Sequence, residues 1–248
     1  MIVAHASGTG AQRGEHLARH IGGTLSAAWL RWCDHMNSIG VDPHEHARQL
    51  EELDAWQSAA RYVPDVLDEL QALAHVAQVP WRHVAALALL DESWALTGGM
   101  ACTAIAITRP GLRVAGQNMD LPLWTDTLQT VLNVRDADGL GVIAATYPGS
   151  PATCGVNSNG VVVLVNALDL EVDLSGTPVS FIVRGALHCP SARDAISFIR
   201  SVPHAVGQTY TVLDADDLYM VEAAADGVAD VPLHPEVSLH TNHAFTRA

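Results

Sequence analysis

The chain has 248 residues, 49% of them hydrophobic and 16% charged, with a formal net charge of −14. That length can bury a substantial core in one domain, and the apolar content excludes a disordered chain. The acidic balance argues against nucleic acid as a partner, since a phosphate backbone calls for a basic face. All 13 basic residues are arginine, which removes Schiff-base chemistry and a lysine general base.

Residues 1–8 have no basic region and no long apolar run, so they are not read as a secretory signal. The next stretch, from 10 to about 97, reads as helical. Leu17, Ile21, Leu25, Ala28 and Trp32 repeat every three to four residues between 14 and 33. Pro64 opens a second helix with Asp65, Asp68 and Glu69 in its first turns, where the helix dipole favours negative charge. A third is expected from Pro80-Trp81 to just before Gly98-Gly99. Its apolar run, residues 84–90, is too short to cross a bilayer, so no membrane partner is expected. The tryptophans of this half (Trp29, Trp32, Trp56, Trp81, Trp94) are read as core packing.

After residue 101 the texture changes to short apolar runs separated by Gly, Pro, Asp and Asn. Strands are expected over 103–108, 112–117, 128–134, 140–146, 160–166 and 210–214, with a helix over 192–202 capped by Ser191. Helices followed by strands indicate an α+β fold. The four cysteines (Cys33, Cys102, Cys154, Cys189) are scattered and lack Cys-x-x-Cys spacing, so free thiols in a cytoplasmic protein are the expectation, with a disulfide left open.

Cys102 stands apart. It follows the small-residue approach Gly98-Gly99-Met100-Ala101 and starts the strand Cys102-Thr103-Ala104-Ile105-Ala106-Ile107. The turn Arg109-Pro110-Gly111 then leads to a partner strand ending in Gln117-Asn118-Met119-Asp120. A cysteine at the head of a buried strand, beside amide and carboxylate side chains, reads as a reactive thiol. Attack of its sulfur on the Ala101 carbonyl would cut the chain and leave Cys102 as an N-terminal residue carrying both nucleophile and amine base. Asn166 ends the apolar run 161–165, and a buried asparagine there requires partners, as an oxyanion donor would. Asn157 and Asn159, in Gly155-Val156-Asn157-Ser158-Asn159-Gly160, read as turn residues.

Cys-Thr-Ala-x-Ala, Gly-Gln-Asn-x-Asp, Gly-Val-Asn-Ser-Asn-Gly, the strand asparagine and His240-Thr241-Asn242-His243 resemble, in this order and spacing, the peptidase C45 family. This is the acyl-coenzyme A:6-aminopenicillanic acid acyltransferase-like group of N-terminal-nucleophile hydrolases. Arg13-Gly14, Tyr62-Val63-Pro64, Leu67-Asp68-Glu69-Leu70 and residues 178–184 fit its leader and later core. The resemblance implies a four-layer αββα sandwich with a helical N-terminal leader. It also implies one structural domain, divided by autoproteolysis into a leader of residues 1–101 and a β-subunit of residues 102–248. Cys102 would be nucleophile, Asp120 would orient the freed amine, Asn166 would serve the oxyanion, Asn242 would position nucleophile and substrate, and Asn118 would contact substrate. The implied substrate is a small acyl amide or acyl thioester, with no metal and no organic cofactor.

The family pattern continues beyond the His-Thr-Asn-His element, commonly with a pocket arginine that neither Arg184 nor Arg247 matches, so a short C-terminal region is expected here. An open sheet edge there would favour a homodimer. Two other classes stay open. One is an unprocessed, truncated, non-catalytic member acting as a binding or assembly module. The other is a metal-dependent hydrolase built on His44-Glu45-His46, His16 with His20, or His240 with His243, none of which is a complete ligand set by spacing.

Overall fold

Thr9 sets the start of the long first helix through a capping box: its hydroxyl accepts from Gln12 N–H, and the Gln12 side chain returns to the Thr9 backbone. The computed structural model describes residues 1–98 and 101–246. In chain order the first half contains β1 (Ile2–Gly8), α1 (Gly10–Ser38), α2 (Pro43–Glu51), α3 (Ala55–Tyr62), α4 (Pro64–Ala77), α5 (Trp81–Ala88) and α6 (Leu90–Thr97). The second half begins with β2 (Ala101–Arg109), β3 (Leu112–Asp120), β4 (Thr130–Asp136), β5 (Gly141–Thr146), β6 (Cys154–Asn157) and β7 (Val162–Ala167). It continues with α7 (Val179–Ala186), α8 (Ala192–Ser201), β8 (Gln208–Leu213), β9 (Leu218–Ala224), β10 (Gly227–Asp230) and β11 (Val237–His240).

The strands form an eight-stranded sheet in the order β1-β4-β5-β6-β7-β8-β9-β10 and a three-stranded sheet in the order β11-β2-β3. The result is the expected α+β sandwich. One face of the large sheet, carrying Ala4, Leu132, Val142, Val163, Tyr210 and Val221, is buried in the main core with the helices. Side chains alternate along each strand, so Leu164, Asn166, Thr209, Thr211, Met220 and Glu222 face the other way, toward the small sheet. That sheet contributes Cys102, Ala104 and Ala106. The layer between the sheets is therefore built of small and polar side chains. On the outer side of the small sheet Val114 and Leu239 are each 49% exposed.

The N-terminal half departs from the sequence expectation at two places. Residues 2–8 form β1, which pairs in parallel with β4 (Ile2 opposite Thr130) at the edge of the large sheet. The N-terminal half thus supplies a strand as well as helices. The helix expected from Trp81 breaks at Leu89, whose φ of −104° and ψ of 38° leave the helical region and separate α5 from α6. The partner strand of Cys102 ends at Asp120, as expected, because Ala101–Ala104 supply ladder partners for Gln117–Asp120.

Helices α1 and α4 cross closely because Gly10 and Gly14 carry no side chain: a Cβ on Gly14 would lie 2.2 Å from Glu69 O. Between them the fully buried Arg13 gives Nε to Glu69 Oε2 at 2.5 Å and pairs with Asp65 at 2.5 Å and Asp136 at 2.9 Å. Arg184 of α7, also fully buried, reaches the same Glu69 Oε2 at 3.0 Å. Glu69, 1% exposed, joins the first half of the chain to the second. Removing one partner from a buried ion cluster leaves uncompensated charge behind. Glu69→Ala is expected to lose roughly 3–5 kcal/mol of stability, read as a lower urea midpoint with an unchanged m-value.

Candidate active site

Gly98, at φ 78°, ends α6 in the left-handed region, and β2 starts three residues later at Ala101. Gly99 and Met100, the middle of the expected small-residue approach, lie outside the described residues, as does Arg247. Cys102 is the second residue of β2 and only 2% exposed. The hairpin places Cys102 opposite Met119, Ala104 opposite Gln117, Ala101 opposite Asp120 and Thr103 opposite Asn118. Directly paired residues share a face of an antiparallel ribbon. Gln117 therefore lies on the sulfur's side, whereas Asn118 and Asp120 emerge on the other, exposed side. There Asn118 Nδ2 donates to Asp120 Oδ1 at 3.0 Å. Asp120 thus stands across from the residue whose carbonyl precedes Cys102, not beside the sulfur.

On its other edge β2 pairs with β11, His240 opposite Ala104. Carried on by two residues, that register brings Asn242 opposite Cys102, and here a side chain takes over from the backbone ladder. Cys102 N–H donates to Asn242 Oδ1 at 2.7 Å, and Asn242 Nδ2 donates to Ala167 O at 2.8 Å. With a bond at each end, the carboxamide has one orientation. The segment that carries it is tied down by Glu222, which is fully buried. Glu222 Oε1 lies 2.9 Å from His240 Nε2 and accepts from Phe245 N–H at 2.6 Å, while Oε2 accepts from Thr246 N–H at 2.9 Å. Burial opposes ionisation of Glu222, but these bonds from Thr246, Phe245 and His240 outweigh it and lower its pKa.

Asn166, at the end of β7, is fully buried, and neither Oδ1 nor Nδ2 has a hydrogen-bond partner. A buried, unsatisfied amide costs about 1–3 kcal/mol, so the fold carries this one at a loss. The next residue, Ala167, directs its backbone toward the Cys102 sulfur. Gln117 joins the two sheets: Nε2 donates to Val165 O at 2.6 Å and Oε1 accepts from Val165 N–H at 3.1 Å. Burial pushes the Cys102 thiol up to about 11, with the Asp91 and Asp120 charges adding to the rise; the Ala167 backbone and Gln117 pull the other way. In the continuous chain this thiol is held protonated.

Two acidic side chains of α6 stand behind the site. Gln208 Nε2 donates to Asp91 Oδ1 at 3.1 Å, and Val179 N–H donates to Glu92 Oε1 at 2.8 Å. Burial raises the pKa of both, and the charge of Asp91 raises Glu92 further. Two cavities adjoin the contacts of Cys102. One, of about 310 Å³, is bounded by Asp91, Trp94, Ala167, Gln208 and Asn242. The other, of about 420 Å³, is a groove of mixed lining that runs from Gln117 and Met119 past Leu121, Val131 and Tyr147, with Asp126, Gln129 and Thr130 also along it. Trp94 therefore lines a cavity as well as packing in the core.

The structure brings Cys102, Asn242 and Ala167 together, puts Asn166 one residue before Ala167 at the end of β7, places Asp120 across from Ala101, and sets Asn118 on the outer face. Asn157 is a turn residue, as expected: Nδ2 donates to Leu187 O and Cys189 O, and Oδ1 accepts from Asn159 and Val161 N–H. Among the described residues no three His, Cys, Asp or Glu side chains are grouped to hold a metal, and none of the histidine pairs gains a third ligand. Gln117, Asp91 and Gln208 were not anticipated. Counting two residues at a time from the Arg109-Pro110-Gly111 turn would have put Gln117 on the Cys102 face. Nothing local in the sequence brings α6 or the start of β8 to the site.

A family model described as acyl-coenzyme A:6-aminopenicillanic acid acyl-transferase matches residues 107–247, more than half of the chain. Asp120, Asn166 and Asn242 lie within the match and Cys102 lies just before it. No curated protein matches the sequence.

The state of Asn166 can be checked by stability alone. Asn166→Leu removes two unsatisfied polar atoms and breaks no hydrogen bond, so it is expected to raise the urea midpoint; a fall of the size usual for a hydrogen-bonded core amide, about 1–3 kcal/mol, would show that Asn166 holds the fold.

Proposed function

From the chain's membership of the acyl-coenzyme A:6-aminopenicillanic acid acyl-transferase family, which supports acyl-transferring or hydrolytic activity in general, we propose an autoprocessing cysteine N-terminal-nucleophile enzyme. It hydrolyses or transfers acyl groups at the amide bonds of small N-acylated amines or peptides. The observation that carries this reading is the grip on Cys102: its backbone nitrogen, the atom that cleavage would turn into an amine, is held at 2.7 Å by Asn242 Oδ1. An acceptor at that place suits a free amine at least as well as a peptide N–H.

In the proposed first step Cys102 Sγ attacks the Ala101 carbonyl carbon. A C–S bond forms, the C–N bond breaks, and the thiol proton passes to the departing nitrogen. Water then hydrolyses the Ala101 thioester, freeing the carboxylate of the leader and the thiol. The new α-amine has an ordinary pKa of about 7.7–8.0, so its neutral form can take the thiol proton when the sulfur attacks a substrate amide. It returns that proton to the leaving amine. Asn242 and Asp120 orient the amine, the first along the strand edge and the second from across the hairpin. The unpartnered Asn166 Nδ2, with the backbone N–H groups around the sulfur, supplies donors to the tetrahedral oxyanion. Water as acceptor gives hydrolysis; an amine or a thiol gives transfer. Processing would leave two fragments in one fold. Among the described residues no helix is long and apolar enough to cross a membrane.

Denaturing intact-mass measurement of freshly purified protein tests the first step. Fragments of residues 1–101 and 102–248 are expected from the wild type and one unbroken chain from Cys102→Ala. A single chain in both would leave the non-catalytic module as the better account. In the processed enzyme Asn166→Ala is expected to lower kcat by about 10²–10³ with little change in KM, the usual cost of one oxyanion donor. Turnover of the wild type should rise with pH through the titration of the α-amine, because the base form is the one that works.

A further inference from the structure

The cavity of about 310 Å³ beside the site has a one-sided chemistry. Its charged lining groups, Asp91 and Asp169, are both carboxylates, and no arginine or histidine lines it among the described residues. Gln208, 1% exposed, has its Nε2 engaged by Asp91 Oδ1, which leaves Oε1 as a buried acceptor without a partner. Asp91 itself is 9% exposed. Trp94, 7% exposed, contributes an aromatic wall. Such a set presents acceptors and a π-face and no donor cation.

A ligand group that only donates, carries positive charge and tolerates an aromatic neighbour satisfies all of these at once. An alkylammonium has three N–H donors and no acceptor, and a ring face adds attraction. A carboxylate in the same place would meet two like charges and a second acceptor oxygen. The net charge of −14 acts in the same direction, drawing cations toward the protein. The cavity borders Ala167 and Asn242, and Asn242 Oδ1 in turn holds the Cys102 N–H. The groove that begins at Gln117 and Met119 has an apolar stretch in Leu121, Pro122, Leu123 and Val131, beside polar groups that include Asp126 and Gln129.

We propose that the cavity beside Asp91 is an ammonium subsite, and that the substrates are N-acylated diamines: an apolar acyl chain in the Met119 groove, the scissile amide at Cys102, and the cationic end of the amine between Asp91, Asp169 and Gln208. This rests on the amide-cleaving reading of Cys102.

Three probes with the same acyl chain separate the subsite from the reaction: N-octanoylputrescine, N-octanoylbutylamine and N-octanoyl-γ-aminobutyrate, whose arms are cationic, neutral and anionic. The expected order of kcat/KM is cation over neutral over anion, the first step at least about tenfold, as a desolvated charge pair permits. Asp169→Asn, an exposed position, should shrink that preference several-fold, and Asp91→Asn should shrink it further. Calorimetry with Cys102→Ala should show the same order in binding.

Equal cleavage of all three probes, or preference for the anion, would overturn the subsite and leave the amidase intact. Selective binding of the cationic probe by Cys102→Ala, with no cleavage by the wild type, would uphold the subsite and overturn the reaction. A protein that neither binds nor cleaves any of the three would overturn both.

Discussion

The strand β2 is the constraint on which the site depends. It lies between β3 and β11, and its two-residue period decides which neighbours meet the sulfur and which meet the backbone. On the sulfur's side are Met119 and Gln117; on the far side are Asn118 and Asp120. At the edge toward β11 the main-chain ladder gives way, and the Asn242 carboxamide fills the place of a peptide group. A one-residue slip of this strand would exchange the two faces and bury Thr103 where Cys102 now sits. The register is secured from outside the small sheet, by Gln117 bonding both backbone groups of Val165 and by Glu222 holding the chain after Asn242.

The sandwich layer around Cys102 runs against the habits of a protein interior. Cores are close-packed and satisfied, yet here Ala104 and Ala106 face threonines, a hydrogen-bonded glutamate and an asparagine whose amide has no partner. The helical side of the large sheet, with its leucines, valines and tryptophans, is conventional by comparison. The main core packs on one face of the sheet, and the proposed chemistry lies on the other. Unsatisfied groups at such a place are what a site prepared for an incoming carbonyl oxygen requires.

Much of this was legible in the sequence because local rules govern it. The helical period of α1, the Pro64 start of α4, the Ser191 cap of α8 and the hairpin turn before β3 all depend on residues within one or two turns. Asn166 stood out as a polar residue closing an apolar run. What was not legible is non-local. The three fragments Arg13-Gly14, Leu67-Asp68-Glu69-Leu70 and the arginine ending 178–184 looked like separate signatures, and they meet at a single buried carboxylate, Glu69. Residues 2–8 gave no sign of pairing with β4, since their partner lies more than a hundred positions away. Asp91 and Gln208 reach the site for the same reason, through tertiary packing that no local spacing encodes.

If the chain is cut before Cys102 as proposed, the parallel pairing of β1 with β4 carries a consequence. Residues before and after Cys102 share one sheet and one core, so the two proposed fragments would hold each other in place without a covalent link. Their reassembly after unfolding, however, becomes a meeting of two molecules, and it depends on concentration where the uncut chain's folding does not. A protein made as one chain and then cut would fold once as a unimolecular process and keep the result mainly because it opens slowly.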